Sequence, residues 1–228
     1  MRVEPIAEGL WRWITPHPDA ACGLQAEVGS VYLEGDDAVV LIDPLVPLEP
    51  ADGERFWRAL DRDLARLAQR PLIVLLSCAW HRRSAADIVA RHAGRPGTRL
   101  LAHAESAPFV ADLTPHGVRE REPLPGGIEA HLVRDEPVEL VFWILRHATL
   151  VVADALIGIG AGRLRLCPAS WLGGSGEGED RLRYQLRPAL ARLLDLPIVR
   201  VLPAHGAPVL EGGRDAIAEA LAAVAQEP

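Results

Sequence analysis

The chain has 228 residues, 49% of them hydrophobic, enough for one core without disulfide staples. Its formal net charge is −7, from 24 basic and 31 acidic side chains, which is not the basic excess of a nucleic-acid binder. All 24 basic residues are arginine, and Schiff-base chemistry, which needs a lysine amine, is excluded with the missing lysine.

Val28 to Leu33 and Ala38 to Ile42 flank Glu34-Gly35-Asp36-Asp37. Two β-rich runs around a Gly/Asp turn predict a hairpin. Phe56, Leu60, Leu64 and Leu67 recur at helical spacing with Arg and Asp between them, which predicts a helix over 56–67. Leu72 to Leu76 is a continuous apolar run, as in a strand buried on both faces. Ser84-Ala85-Ala86-Asp87 fits a capping box at the start of the next helix, and Arg99 to Ala102 reads as another strand. Ile128 to Val133, Val138 to Leu145 and Thr149 to Ala153 predict a meander. Gly158 to Asp180 is long and glycine-rich. A helix over 181–194, a strand over 198–202 and a helix over 214–225 close the chain. The pattern predicts an α/β protein of two βα halves packed as one domain over 1–228, since no linker separates them.

The three cysteines, Cys22, Cys78 and Cys167, cannot all pair and match no zinc-ribbon spacing, so the expected compartment is a reducing cytoplasm. Residues 1–15 hold Glu4 and Glu8 and lack the apolar run of a secretory signal. No apolar stretch approaches the ~18 residues of a membrane span.

Three apolar runs end on a polar cluster: Leu72 to Leu76 before Ser77-Cys78-Ala79-Trp80-His81-Arg82-Arg83, Leu150 to Ala153 before Asp154, and Val201-Leu202-Pro203-Ala204 before His205. Ligands gather beyond the carboxyl ends of strands in α/β sheets. These pieces, with Val31 to Leu33, Val39 to Asp43 and His205-Gly206-Ala207-Pro208-Val209, resemble the metallo-β-lactamase superfamily in content and order. The resemblance covers most of the chain. It implies a four-layer αββα sandwich with a metal site at one sheet edge, Asp154 standing for the family's bridging aspartate and His205 for its last histidine.

The family's H-x-H-x-D-H motif is absent. Matching Ser77 to the family's threonine puts Cys78, Trp80, Arg82 and Arg83 on the ligand positions; sliding by two residues puts His81 on the last histidine and Cys78 on the second. The family's Pro-Gly-His-Thr loop is also missing, and Glu136 before Pro137 sits nearest that histidine. His81, Asp154, His205 and Glu136 are therefore the candidate metal ligands, with Asp154 and His205 the candidate catalytic pair. They suit one ion at most, zinc first, with iron or manganese as other fits to a His/carboxylate set. Arg82 and Arg83 are candidates to bind an anionic part of a small substrate; the bland reading pairs them with Asp43, Glu136 or Asp154. Cys78 reads as a buried apolar residue before a nucleophile. Gly173 to Gly178 lacks the ending of a phosphate loop and reads as a surface loop or a flap. His17, His92, His103, His116, His131 and His147 read as surface or core residues, and Arg181, Arg183, Arg187 and Arg192 as a solvated helix face.

Two functions follow. The first is a divergent hydrolase of an ester, thioester, amide or lactone. The rival is a non-catalytic small-molecule-binding or interaction protein on the same scaffold. Neither has a nucleic-acid or membrane partner, and metal content separates them.

Overall fold

The computed structural model describes residues 1–18, 27–106, 110, 115–174 and 176–224. In chain order it contains β1 (Arg2–Ala7), β2 (Leu10–Pro16), β3 (Glu27–Glu34), β4 (Val39–Ile42), α1 (Pro50–Arg66), β5 (Leu72–Leu75), α2 (Ala85–Arg91), β6 (Arg99–His103) and β7 (His116–Val118). The second half adds β8 (Pro123–Leu124), β9 (Ile128–Asp135), β10 (Val138–Ile144), β11 (Thr149–Val152), β12 (Leu156–Gly160), β13 (Arg163–Leu166), α3 (Glu177–Arg181), α4 (Arg187–Arg192), β14 (Arg200–Pro203) and α5 (Gly213–Val224).

β1 to β7 form one sheet in sequence order, antiparallel up to β4 and parallel from there. The second sheet runs β14-β11-β10-β9-β8, with β11 and β14 parallel and the other pairs antiparallel. β12 and β13 make a separate hairpin.

Strand periodicity divides the apolar side chains between layers, because successive residues point to opposite faces. In β4 and β5, Val40, Ile42, Ile73 and Leu75 face the second sheet, where they meet Leu140, Phe142, Ile144 and Leu202. Val39, Leu41, Leu72 and Val74 face outward under Phe56, Leu60 and Leu64 of α1 and Ile88 of α2. Across the second sheet, Val141, Trp143, Leu150 and Val152 face outward under Leu190 of α4 and Ile217 and Leu221 of α5. The layers are helices, sheet, sheet, helices: the αββα sandwich that the sequence resemblance implied. A core spread over three apolar interfaces explains why β5 and β11 are buried at every position.

Local signals agree with most of these elements. α1 starts at Pro50, and the Glu49 side chain accepts from the Asp52 N–H, so a free helix-end donor is satisfied. The predicted capping box is not formed. Ser84 precedes α2, but its Oγ accepts from the Val46 N–H at 2.9 Å and makes no cap bond. A tertiary partner outcompetes the local one. The hairpin of β1 and β2, and that of β12 and β13 inside the glycine-rich stretch, were not expected from sequence. Arg181 and Arg187 also depart from a solvated face, since both bond backbone carbonyls, of Glu136 and Leu172 and of Leu221. Among the described residues, no helix is long and apolar enough to cross a membrane. Cys78 and Cys167 are free and buried; Cys22 and Ser175 lie outside the described residues.

Candidate metal centre

Three strand ends meet at one edge of the sandwich. β5 leads into the short 3-10 turn Ala79–Arg82, which carries His81; Asp154 follows β11, and His205 follows β14. Asp154 Oδ1 lies 3.4 Å from His81 Nε2 and 3.1 Å from His205 Nε2. One ligand atom from each residue lies within 4.8 Å of the others. Metal–ligand bonds of about 2.0–2.1 Å in tetrahedral geometry put ligand atoms about 3.3 Å apart. Asp154 Oδ1 is also buried with no well-directed hydrogen bond. A buried carboxylate oxygen facing two imidazole nitrogens at this spacing fits a divalent ion.

The surroundings orient each ligand. His81 Nδ1 lies 3.0 Å from Asp43 Oδ2 and 3.1 Å from Ser77 Oγ. A carboxylate on one ring nitrogen aims the other at a metal. Asp43 follows β4 at φ 47°, in the left-handed region that Asp tolerates better than most residues. Its Oδ1 accepts from the Ser77 N–H at 2.9 Å. The His205 loop is held by backbone hydrogen bonds: Ala204 N–H to Val152 O, Gly29 N–H to Ala204 O and Gly158 N–H to His205 O. Arg12, buried in β2, donates through Nη2 to Pro203 O at 2.9 Å and Gly206 O at 2.7 Å. Gly158 is required by close approach, since a Cβ there would stand 1.8 Å from Ala207 O.

Asp154 is fixed at both ends. Its backbone N–H donates to Glu139 Oε1 at 2.9 Å, and that oxygen also accepts from the Ala155 N–H at 2.7 Å. Its Oδ2 accepts from the Trp80 indole N–H at 2.6 Å. The Arg134 guanidinium lies 4.8 Å from the Trp80 ring centroid and 2.8 Å from Glu139 Oε2.

Charge follows from this packing. Burial opposes ionisation of Asp154, but the imidazoles of His81 and His205 reverse it and hold the carboxyl well below its usual range. Burial and Arg83 oppose a charged His81, yet Cys78, Asp154 and Asp43 raise it well above the usual histidine value. Burial pushes Glu139 up to about 7 against Arg134. Burial likewise raises the Cys78 thiol to about 11, which leaves it a poor nucleophile at neutral pH.

A cavity of about 300 Å³ opens onto the three candidate ligands, lined by His17, Pro18, Trp80, His81, Arg83, Asp154, Trp171 and His205. Larger hollows exist, one of about 770 Å³ beside β13 and α5, but His81, Asp154 and His205 are the group with metal-ligand spacing among the described residues.

Of the expected site residues, His81, Asp154 and His205 converge, and Arg83 lines the cavity while donating to Asp43 O at 3.0 Å. Arg82 is half-buried and does not line it. Glu136 is corrected: it is exposed in the turn between β9 and β10 and belongs to a neighbouring hollow. The carboxylate that reaches the Asp154 segment is Glu139, three residues later and inside β10. His17 is corrected too, because its ring stacks on His205 with centroids 6.4 Å apart. Arg134, Glu139 and Arg12 were missed as site residues, and Asp43, expected only as a partner for the arginines, holds His81. Their signal was a charged residue inside or ending an apolar strand, which needs a specific partner.

No protein-family model and no curated protein matches the sequence. Solved structures match over nearly the whole chain. A beta-lactamase domain protein from Burkholderia ambifaria superposes with a TM-score of 0.69 at 18% identity, over 96% of this chain and 72% of its own. A metallo-beta-lactamase from Pontibacter korlensis gives 0.67 at 15% identity over 99% of both chains. A metallo-beta-lactamase family protein from Thermus thermophilus gives 0.63 at 18%, over 97% of this chain and 81% of its own. With its two sheets and their helix layers, the chain has the metallo-β-lactamase fold.

Proposed function

We propose that the protein is a hydrolase of small esters, thioesters, amides or lactones, working with a single divalent ion, zinc first, held by His81, Asp154 and His205. The observation that carries this reading is the buried Asp154 Oδ1, without a well-directed hydrogen bond, at 3.1 and 3.4 Å from two imidazole nitrogens. The fold neighbours supply the same scaffold type. A bound divalent ion supplies a Lewis acid that polarises a carbonyl and lowers the pKa of water towards neutrality.

The chain's own residues do the rest. Asp43 holds the Nδ1 side of His81 and leaves Nε2 for the ion. Arg12 and Gly29 fix the backbone that presents His205. Arg83 offers a guanidinium edge to an anionic part of the substrate, and Trp80 and Trp171 wall the cavity. Three ligands leave a position open for substrate.

The test is zinc uptake, by elemental analysis after equilibrium dialysis, with hydrolysis assayed on matched ester, thioester, amide and lactone substrates. One zinc per chain and zinc-dependent turnover, both lost in His205→Ala while its metal-free melting transition stays intact, is the expected result. Turnover that persists in His205→Ala, or no zinc uptake by the native chain, refutes the reading.

A further inference from the structure

Asp154 has two carboxylate oxygens, and they are in different situations. Oδ1 faces His81 and His205 and has no well-directed hydrogen bond. Oδ2 is taken by the Trp80 indole N–H at 2.6 Å. The indole is itself held, because the Arg134 guanidinium stacks on its ring, Arg134 contacts Glu139, and Glu139 accepts from the Asp154 N–H. These contacts close a circuit from the Asp154 side chain back to its own backbone. Arg134 and Glu139 are both buried, so the circuit is stiff at its far side.

Trp80 is 40% exposed. A tryptophan kept for core packing would be covered; this one forms the wall between the ligand cavity and a hollow of about 670 Å³ that includes Glu105, Asp135 and Glu136. Its ring is available to solvent while its single polar atom is committed to Asp154.

The geometry points to Trp80 as a positioning residue that fixes the coordination mode of Asp154. With Oδ2 committed to the indole, Asp154 binds a metal through Oδ1 alone, and the ion is held by one oxygen and two nitrogens with an open position. Releasing Oδ2 lets the carboxylate rotate and bind through both oxygens, which raises the coordination number and loosens the geometry. This inference rests on the metal-dependent reading above.

Trp80→Phe is the informative variant, since it keeps a ring for Arg134 to stack on and deletes the N–H. Zinc affinity is read by competition with a chromophoric chelator, and coordination by the visible spectrum of the cobalt(II)-substituted protein. The native chain is expected to bind one zinc and to show the intense visible bands of a four-coordinate cobalt site. Trp80→Phe is expected to bind zinc about 10–100-fold more weakly, the usual effect of losing a partner of a metal ligand, and to show the weaker bands of a higher coordination number. An unchanged melting transition of the metal-free protein separates this from a folding defect, and Trp80→Leu replaces the variant if that transition is lost. Equal affinity and an equal cobalt spectrum overturn the inference and leave the hydrolase reading standing. No uptake of zinc or cobalt by the native chain overturns both.

Discussion

Replacing Arg12 with methionine tests how the His205 loop is held. Arg12 is 2% exposed and crosses from β2 in the first sheet to the loop after β14 in the second. Nη2 donates to Pro203 O and Gly206 O, and Nη1 reaches Glu4 at 3.2 Å. Hydrogen bonds to a charged group contribute about 1.5–3 kcal/mol each. The Glu4 contact is partly solvated and adds little. Methionine fills much of the same volume, so the cost is mainly that of two carbonyls, Pro203 O left in a buried place and Gly206 O in a partly buried one, about 3–4 kcal/mol in total. Against a typical total of about 5–15 kcal/mol, the chain should still fold. In urea, with a slope of about 2 kcal/mol per molar, the midpoint should fall by about 1.5–2 M. Glu4→Gln should move it by less than about 0.5 M by the same arithmetic. A midpoint shift for Arg12→Met no larger than that of Glu4→Gln would show that the two carbonyls find water and that Arg12 does not hold the loop.

Gly158→Ala should displace the same loop from the other side, because its Cβ would meet Ala207 O at 1.8 Å; zinc affinity should fall with it, and an unchanged affinity counts against the loop as the holder of His205. Asp43→Asn should weaken zinc binding about 10–100-fold by disturbing the His81 ring, checked by chelator competition. Burial lowers the pKa of His92, His131 and His147, so between their folded values and about 6.5 the unfolded chain binds more protons. Their stabilisation is therefore complete above about pH 6.5 and is lost progressively as pH falls from there through their lower folded values. The urea midpoint of His131→Asn/His147→Asn should fall less steeply than the native one below that pH, and equal slopes refute it. His81, raised well above the usual value, carries the opposite sign: in metal-free protein its stabilisation is full below about pH 6.5 and lost on the alkaline side as pH rises through its folded pKa.

The parts of the fold and site legible in the sequence were those written in local patterns. β5, β11 and β14 show as apolar runs, and each leads into the residue that reaches the site. The partners of those residues are set by register across strands, which local pattern does not contain. Glu139 pairs with Arg134 because the β9–β10 hairpin places them opposite each other; reading along the chain picked Glu136, three residues too early and in the turn. Arg12 lies between Trp11 and Trp13 in a strand whose partner carbonyls come from the end of the chain, 191 and 194 residues away. Ser84 was read from its neighbours, and its bond went to Val46. A charge inside an apolar strand was the one local sign that a distant partner existed.

Because His81 follows a strand of the first sheet and Asp154 and His205 follow strands of the second, an ion held by all three would crosslink the two halves. The Trp80 to Asp154 link alone closes a loop of 74 residues, and the site cannot exist before that loop is closed. Binding energy is then folding energy: zinc at 100 times its dissociation constant would add about 2.7 kcal/mol to the stability of the whole chain. Chelation should lower the melting temperature of both sheets together, and in refolding the ion should be captured last, after the slow long-range pairing that brings the sheets face to face.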